Sequence, residues 1–279
     1  MNINSFAADI QRTMQGFQAI ADSVSRTARK VQQATAGMQA VLRSAESLTR
    51  IPEMLRRQNE AFAYLMPRLA DKGWYFGMEM TLPAMMQLYR LARDEDFEAI
   101  DQALADWYRR QGSDTIHRIS ERFPDRAPIL QAAFTAHEAG NYVLAIPAFL
   151  AQADGIAHHY LTESFFCTRR WRARLREFME ENSLTDFSTV MAIPLDDPGV
   201  LRRPTWELEG QDDILNRHQV LHGLRCDYGS EVNSLKCIGL LDYIQSAGEM
   251  ILTREPEQSL GGDSENRAED SSISEAPQA

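Results

Sequence analysis

Asn216, Arg217, His218 and His222 fall within seven residues, in the segment Leu215-Asn216-Arg217-His218-Gln219-Val220-Leu221-His222-Gly223. Imidazoles titrate near neutrality, so a histidine here can carry a proton to or from a reacting group at physiological pH. Arginine adds a permanently charged fork that suits a phosphate or a pentavalent phosphorane. On a helix, His218 and His222 are four apart and stack on one face. Arg217 and His222 stand about 140° apart round the axis and share a flank only loosely. Spacing alone is weakly specific. Arg110 and His117 satisfy a similar rule, but across the Gly112 helix break.

Context adds what spacing lacks. Together, NRHQVLHG and the following DYGSEVNSLKCIGLLDYI resemble the C-terminal helices of the HEPN superfamily, a small helical bundle. The resemblance is most specific over residues 211–245. It extends back to the helix beginning near Tyr142, where IPAFLAQADGI would open the bundle. Ribonuclease members of that superfamily share an Arg-x4–6-His motif with a polar residue often following the arginine. Arg217, His218 and His222 match those elements.

What the resemblance implies is metal-independent RNA cleavage with no cofactor, a 2′-hydroxyl attacking the adjacent phosphate to leave a 2′,3′-cyclic phosphate. His222 would be the general acid or base and Arg217 the stabiliser of the phosphorane. Asn216 or His218 would orient the scissile phosphate, and Asp154 (or Gln152) would be the supporting residue of the opening helix. One copy of the motif implies a homodimer. An enzyme of this toxin or phage-defence type would act on RNA and could have an antitoxin or regulatory partner. Two other readings stay open: a nucleotide- or RNA-binding module without cleavage, and an oligomeric interaction protein. In the latter, NRHxxxH is a buried polar network whose histidines donate to Asp154 or Asp242.

Elsewhere, Arg169, Arg170, Arg172, Arg174 and Arg176 make the densest basic run. They form either a solvated face paired with Glu177, Glu180 and Glu181 or a phosphate-contacting strip beside which Trp171 stacks on a base. Asp154, His158 and His159 have the spacing of a partial metal set, although no metal site is favoured. Gly73-Trp74-Tyr75-Phe76 and Phe123-Pro124-Asp125-Arg126 read as core stitching, Met78, Met80, Met85 and Met86 as adaptable packing, and His137 as a core or cap residue. The chain contains no GxxxxGK[ST], GxGxxG, HExxH or GxSxG, which removes the commonest NTPase, dinucleotide, zincin and hydrolase readings.

These residues need an all-α scaffold. Ile3, Ile10, Phe17, Val24, Val31, Met38 and Ala45 recur every seven residues, with Phe6, Thr13, Ile20, Thr27, Ala34, Val41 and Leu48 between them. This heptad predicts one long helix over residues 1–50, suited by its small flanking residues to bundle packing or oligomerisation. Residues 51–140 read as a helical region, with helices over 82–91 and 96–110 and a stop at Gly112-Ser113-Asp114. Residues 141–253 read as the HEPN-like bundle: helices from Tyr142 to Phe166, 168–181, 211–222 and 230–252, with 194–210 a proline-broken loop. Gly140-Asn141 separates a helix over 128–139 from the next. The acidic tail, 254–279, predicts disorder.

Composition sets the outer limits. The 279 residues include 44% hydrophobic and 25% charged side chains, ordinary for a globular protein. The net charge of −11 argues against coating nucleic acid by bulk charge, so RNA contact would rest on local basic groups. Residues 1–70 are nevertheless net +4, while the tail is −5. Three cysteines (Cys167, Cys226 and Cys237), without a CxxC pair, fit a reducing compartment. With no apolar run of membrane-span length and no signal-like N-terminus, the expected location is the cytoplasm.

Overall fold

The computed structural model describes residues 51–182, 184–208 and 214–252. The predicted heptad helix over 1–50 and the disordered tail after residue 253 lie outside the described residues. The chain divides into two compact units, Met1–Leu65 and Met66–Ala279. Residues 51–71 are helical (α1), and in the first unit Glu53 receives the guanidinium groups of Arg56 and Arg57 one turn on. The second unit holds the end of α1 and all that follows.

The described residues are all helix, turn and loop, with no strand among them. In order come α2 (Leu82–Arg93), α3 (Phe97–Arg122), α4 (Ala127–Glu138), α5 (Tyr142–Leu161), α6 (Thr168–Glu181), α7 (Asp186–Met191), α8 (Ile193–Asp196), α9 (Arg217–Leu221) and α10 (Glu231–Ala247). No helix among these residues is long and apolar enough to cross a membrane.

Local chemistry explains most boundaries. Asp96 accepts the Ala99 N–H at 3.1 Å and starts α3. Ser230 does the same for α10 through Asn233. Gly140 stands at φ +72°, a conformation glycine adopts without penalty, and ends the turn after α4. α5 runs through Pro147 without a break in assignment.

One predicted stop fails. Gly112 does not end a helix; α3 continues through it to Arg122. A Cβ at Gly112 would sit 3.4 Å from the Phe134 ring and 3.7 Å from Ile238 Cδ1. The glycine therefore serves close packing of α3 against α4 and α10, and burial outweighs its poor helix propensity of about 1 kcal/mol.

α3, α4, α5 and α10 pack on one another as the core. α10 is its central member: every residue from Ser234 to Ala247 is buried. A helix buried all round must satisfy its polar side chains internally. Asp242, 2% exposed, is the chief case. Its Oδ1 accepts Arg118 Nη2 of α3 at 2.6 Å, and its Oδ2 accepts the Gly77 N–H at 3.0 Å. The Tyr108 hydroxyl lies 3.0 Å from Oδ2 and 3.1 Å from the Tyr75 carbonyl, and burial pushes that phenol's pKa well up. A Cβ at position 77 would meet Asp242 Oδ1 at 2.2 Å, so only glycine lets the backbone come this close. Arg118 also donates to Gln245 on the next turn of α10. Ser246 Oγ accepts the Met78 N–H at 3.2 Å.

The segment Gly73-Trp74-Tyr75-Phe76 is core, as expected: Trp74, Tyr75 and Phe76 are buried. Buried aromatic polar atoms also tie down the proline-broken chain after α6. Trp171 Nε1 donates to Leu195 O at 2.7 Å, Tyr75 Oη to Pro198 O at 2.6 Å and Tyr243 Oη to Met191 O at 2.6 Å. The predicted loop over 194–210 includes the end of α8 and two short 3-10 turns, Gly199–Arg202 and Thr205–Leu208.

Two measurements test this core. Arg118→Met leaves the Asp242 carboxylate buried without its cation and should cost about 3–5 kcal/mol in urea unfolding. Adding Asp242→Asn should return part of that loss. A single-variant cost under about 1 kcal/mol would refute the ion pair as a core element. The second test concerns His137, whose Nδ1 lies 2.9 Å from Ser234 Oγ of α10. Burial lowers its imidazole below the ordinary 6.5. The unfolded chain therefore takes up this proton first, so the stability this site contributes is complete above pH 6.5 and lost as pH falls through the folded value. His137→Gln should flatten the stability–pH slope just below 6.5; an unchanged slope would exclude this group as its source.

Candidate active site

α9 is shorter than the sequence suggests. Of the predicted helix over 211–222, residues 211–213 lie outside the described residues, and the helix begins only at Arg217. Asn216 has extended backbone, φ −116° and ψ 125°, and caps the helix with its side chain. Oδ1 accepts the N–H groups of His218 at 3.0 Å and Gln219 at 3.1 Å. Nδ2 donates to the carbonyls of Val200 at 2.8 Å and Arg203 at 2.9 Å. With 0% exposure, the amide has no surface to offer a phosphate. The expected orienting role for Asn216 is thus corrected: it holds the start of α9 against the Gly199–Arg202 turn and acts on the site through the chain it positions.

Arg217, the first residue of α9, is half-buried. Its Nη2 donates to the Phe166 carbonyl at 3.0 Å, and its guanidinium lies 4.8 Å from the centre of the Phe166 ring. Burial lowers its pKa, while the charges of Asp154 and Cys167 act the other way. A guanidinium stays charged throughout the physiological range regardless. The loop that receives it is built by Asp154 of α5. That carboxylate accepts Ser164 Oγ at 2.9 and 2.8 Å and the Phe166 N–H at 3.2 Å. Asp154, named from sequence as the supporting residue, thus fixes the Phe166 peptide on which Arg217 rests. Gln152, the alternative, is buried and accepts Arg126 Nη1 at 3.0 Å.

His218 and His222 are both exposed, their ring centres 4.3 Å apart with the planes at 54°. The i, i+4 stacking read from the sequence is present. His222 caps the C-terminus of α9, its N–H bonded to His218 O at 3.1 Å, and Gly223 at φ +66° turns the chain away. Neither Asp154 nor Asp242 serves as an acceptor for these rings: the first holds Ser164 and Phe166, the second Arg118. Two adjacent imidazoles open to solvent can divide a proton donor and a proton acceptor between them, with a cation beside them.

The arginine strip of α6 is partly engaged at home. Arg172 donates to Asp196 O at 2.7 Å and lies 3.6 Å from the Asp196 carboxylate; Arg174 bonds Glu177 at 2.6 Å. Arg169 and Arg170 are exposed. Trp171 is fully buried edge-on to Phe165, so the notion of base stacking by this residue is withdrawn. His158 and His159 are exposed, and His159 makes an edge contact with Phe123 at 5.2 Å. Among the described residues no group of three or more His, Cys, Asp or Glu is placed to hold a metal ion.

Sequence reasoning missed the Ser164–Phe166 loop as part of this site. The only trace was a serine ten residues after Asp154, which is no motif. Comparisons with protein-family models, curated proteins and solved structures return no match.

Asn216→Ala should cost about 2 kcal/mol or more in thermal or urea unfolding, since it removes a helix cap and strands two buried carbonyls. Loss of less than about 0.5 kcal/mol would show that the turn does not depend on this amide.

Proposed function

We propose that the chain is a metal-independent endoribonuclease of the HEPN kind, acting at Arg217, His218 and His222. The observation that carries the reading is the pair of exposed imidazoles, 4.3 Å between ring centres, on the helix that Arg217 opens. In the reaction, one imidazole takes the proton of an RNA 2′-hydroxyl as its oxygen attacks the neighbouring phosphorus. The P–O5′ bond breaks and an imidazolium returns a proton to the departing 5′-oxygen. The products are a 2′,3′-cyclic phosphate and a free 5′-hydroxyl. Arg217 stabilises the extra negative charge of the phosphorane. His222 is assigned as a general acid or base and His218 as its partner or as the group that orients the phosphate. Asp154 is a positioning residue, acting through Phe166. A homodimer would place two such sites together, and a toxin or phage-defence enzyme of this kind would be held in check by a partner protein.

A second reading is favoured by a specific observation: Asn216 is wholly engaged in structure and Arg217 is bonded to Phe166 O. On that reading the motif holds α9 in place, and the protein binds RNA without cutting it or is an interaction module.

Purified protein assayed on RNA in EDTA separates the two. Cleavage leaving 2′,3′-cyclic phosphate, reduced about 100-fold or more by His222→Ala with unchanged melting temperature, is the expected result. Arg217→Lys should lower activity while retaining charge, because the planar fork is lost. Wild-type inactivity across structured and single-stranded RNA, with His222→Ala as stable as wild type, would overturn the nuclease reading.

A further inference from the structure

A second basic site lies where the end of α1, the first turn of α3, the turn around Arg203 and the first turns of α10 converge. The cavity there, of about 430 Å³, is lined by four cations, Arg68, Lys72, Arg203 and Lys236, and by two carboxylates, Asp71 and Asp101. Lys236 is 7% exposed at its inner end, its ammonium 5.6 Å from the centre of the Trp74 ring. Trp74 is itself buried, and its Nε1 donates to Asp101 Oδ1 at 2.6 Å. Lys72, at the exposed rim, stands 4.8 Å over the ring of Phe97. Arg203 bonds Asp71 across the mouth.

The lining therefore carries two more positive than negative charges, set in a concave wall with aromatic backing. Low-dielectric walls concentrate such a field on whatever enters. Arg68 and Lys72 are one helical turn apart in sequence, so their positive ends enter from one side while Lys236 enters from α10. That convergence suits a phosphate, whose oxygens accept from several cations at once. Inorganic phosphate alone would leave most of the volume unfilled, since pockets of this size accommodate a small organic molecule. The two carboxylates accept hydrogen bonds only, and each has capacity for more than one donor. They suit hydroxyl groups on the body of the ligand.

We propose that this cavity binds a small phosphate monoester with a hydroxylated body, its phosphate among Arg68, Lys72 and Lys236 and its hydroxyls toward Asp71 and Asp101. The site is separate from Arg217 and His222 and does not depend on the nuclease reading.

Calorimetric titration of the full chain with ribose 5-phosphate, ribose and inorganic phosphate tests it. Ribose 5-phosphate should bind, more weakly as salt is raised, and more tightly than inorganic phosphate; ribose should give no heat. Lys72→Gln, a change at an exposed rim, should weaken binding about tenfold at unchanged melting temperature, and Arg68→Gln should do likewise. Absence of binding by ribose 5-phosphate at millimolar concentration overturns the proposal. So does binding that neither substitution alters. Inorganic phosphate binding as tightly as the sugar phosphate would overturn the assignment of a hydroxylated body.

Discussion

A carboxylate buried on every side is tolerated only when charge and hydrogen bonds meet it from the protein. Asp242 sits at that point of the structure, in the middle of the one helix that the others surround. Arg118 reaches it from α3, the Gly77 N–H from the chain after α1, and Tyr108 from α3 as well. An apolar residue could fill the volume but would not fix which turn of α3 faces which turn of α10. The ion pair does so, and the same registry seats Gln245 on Arg118 and Ser246 on Met78. Gly77 follows from this demand, because its missing side chain is what admits the carboxylate.

With α5 and α10 locked, the candidate site is assembled outward from them. Asp154 stands on the buried-core helix α5 and closes the loop after it through Ser164 and the Phe166 N–H. The opposite face of that peptide, the Phe166 carbonyl, receives Arg217. Asn216 fixes the start of α9 from the other direction by binding the Val200 and Arg203 carbonyls. A helix of five residues has little stability of its own, so these outside contacts must hold it. The two histidines are then presented to solvent on an element whose position is set by buried groups. A rigid support beneath exposed proton-transfer groups is the arrangement that proton transfer at a fixed substrate requires.

The same loop system separates two kinds of positive charge. Arg172 and Arg202 turn inward and bind carbonyls of the chain around them, so they act as cross-links. Arg68, Lys72 and Lys236 instead border a cavity. Bulk composition blurs this distinction: an overall charge of −11 coexists with two local sites of positive character. Charge acts at short range in salt water, so placement decides what an anion meets.

Much of the helical scaffold is legible in the sequence because its determinants are local. Apolar spacing, Asp96 and Ser230 as caps and Gly140 as a stop act within a turn or two, and they locate α3, α4, α5, α6 and α10 closely. The stacking of His218 on His222 is likewise a matter of four residues. Tertiary structure decided the rest. Gly112 reads as a break until Phe134 and Ile238 are brought against it. Trp171 reads as a surface aromatic in a basic run until Phe165 and Leu195 enclose it. Asn216 reads as a ligand-facing amide until the Val200 and Arg203 carbonyls take its donors. In each case the deciding partner lies more than a helical turn away in sequence, where side-chain periodicity carries no information. Sequence by itself thus determined an all-α chain with a compact Arg-His cluster. Only the packing of distant segments decided which of its polar residues face solvent and which hold the core.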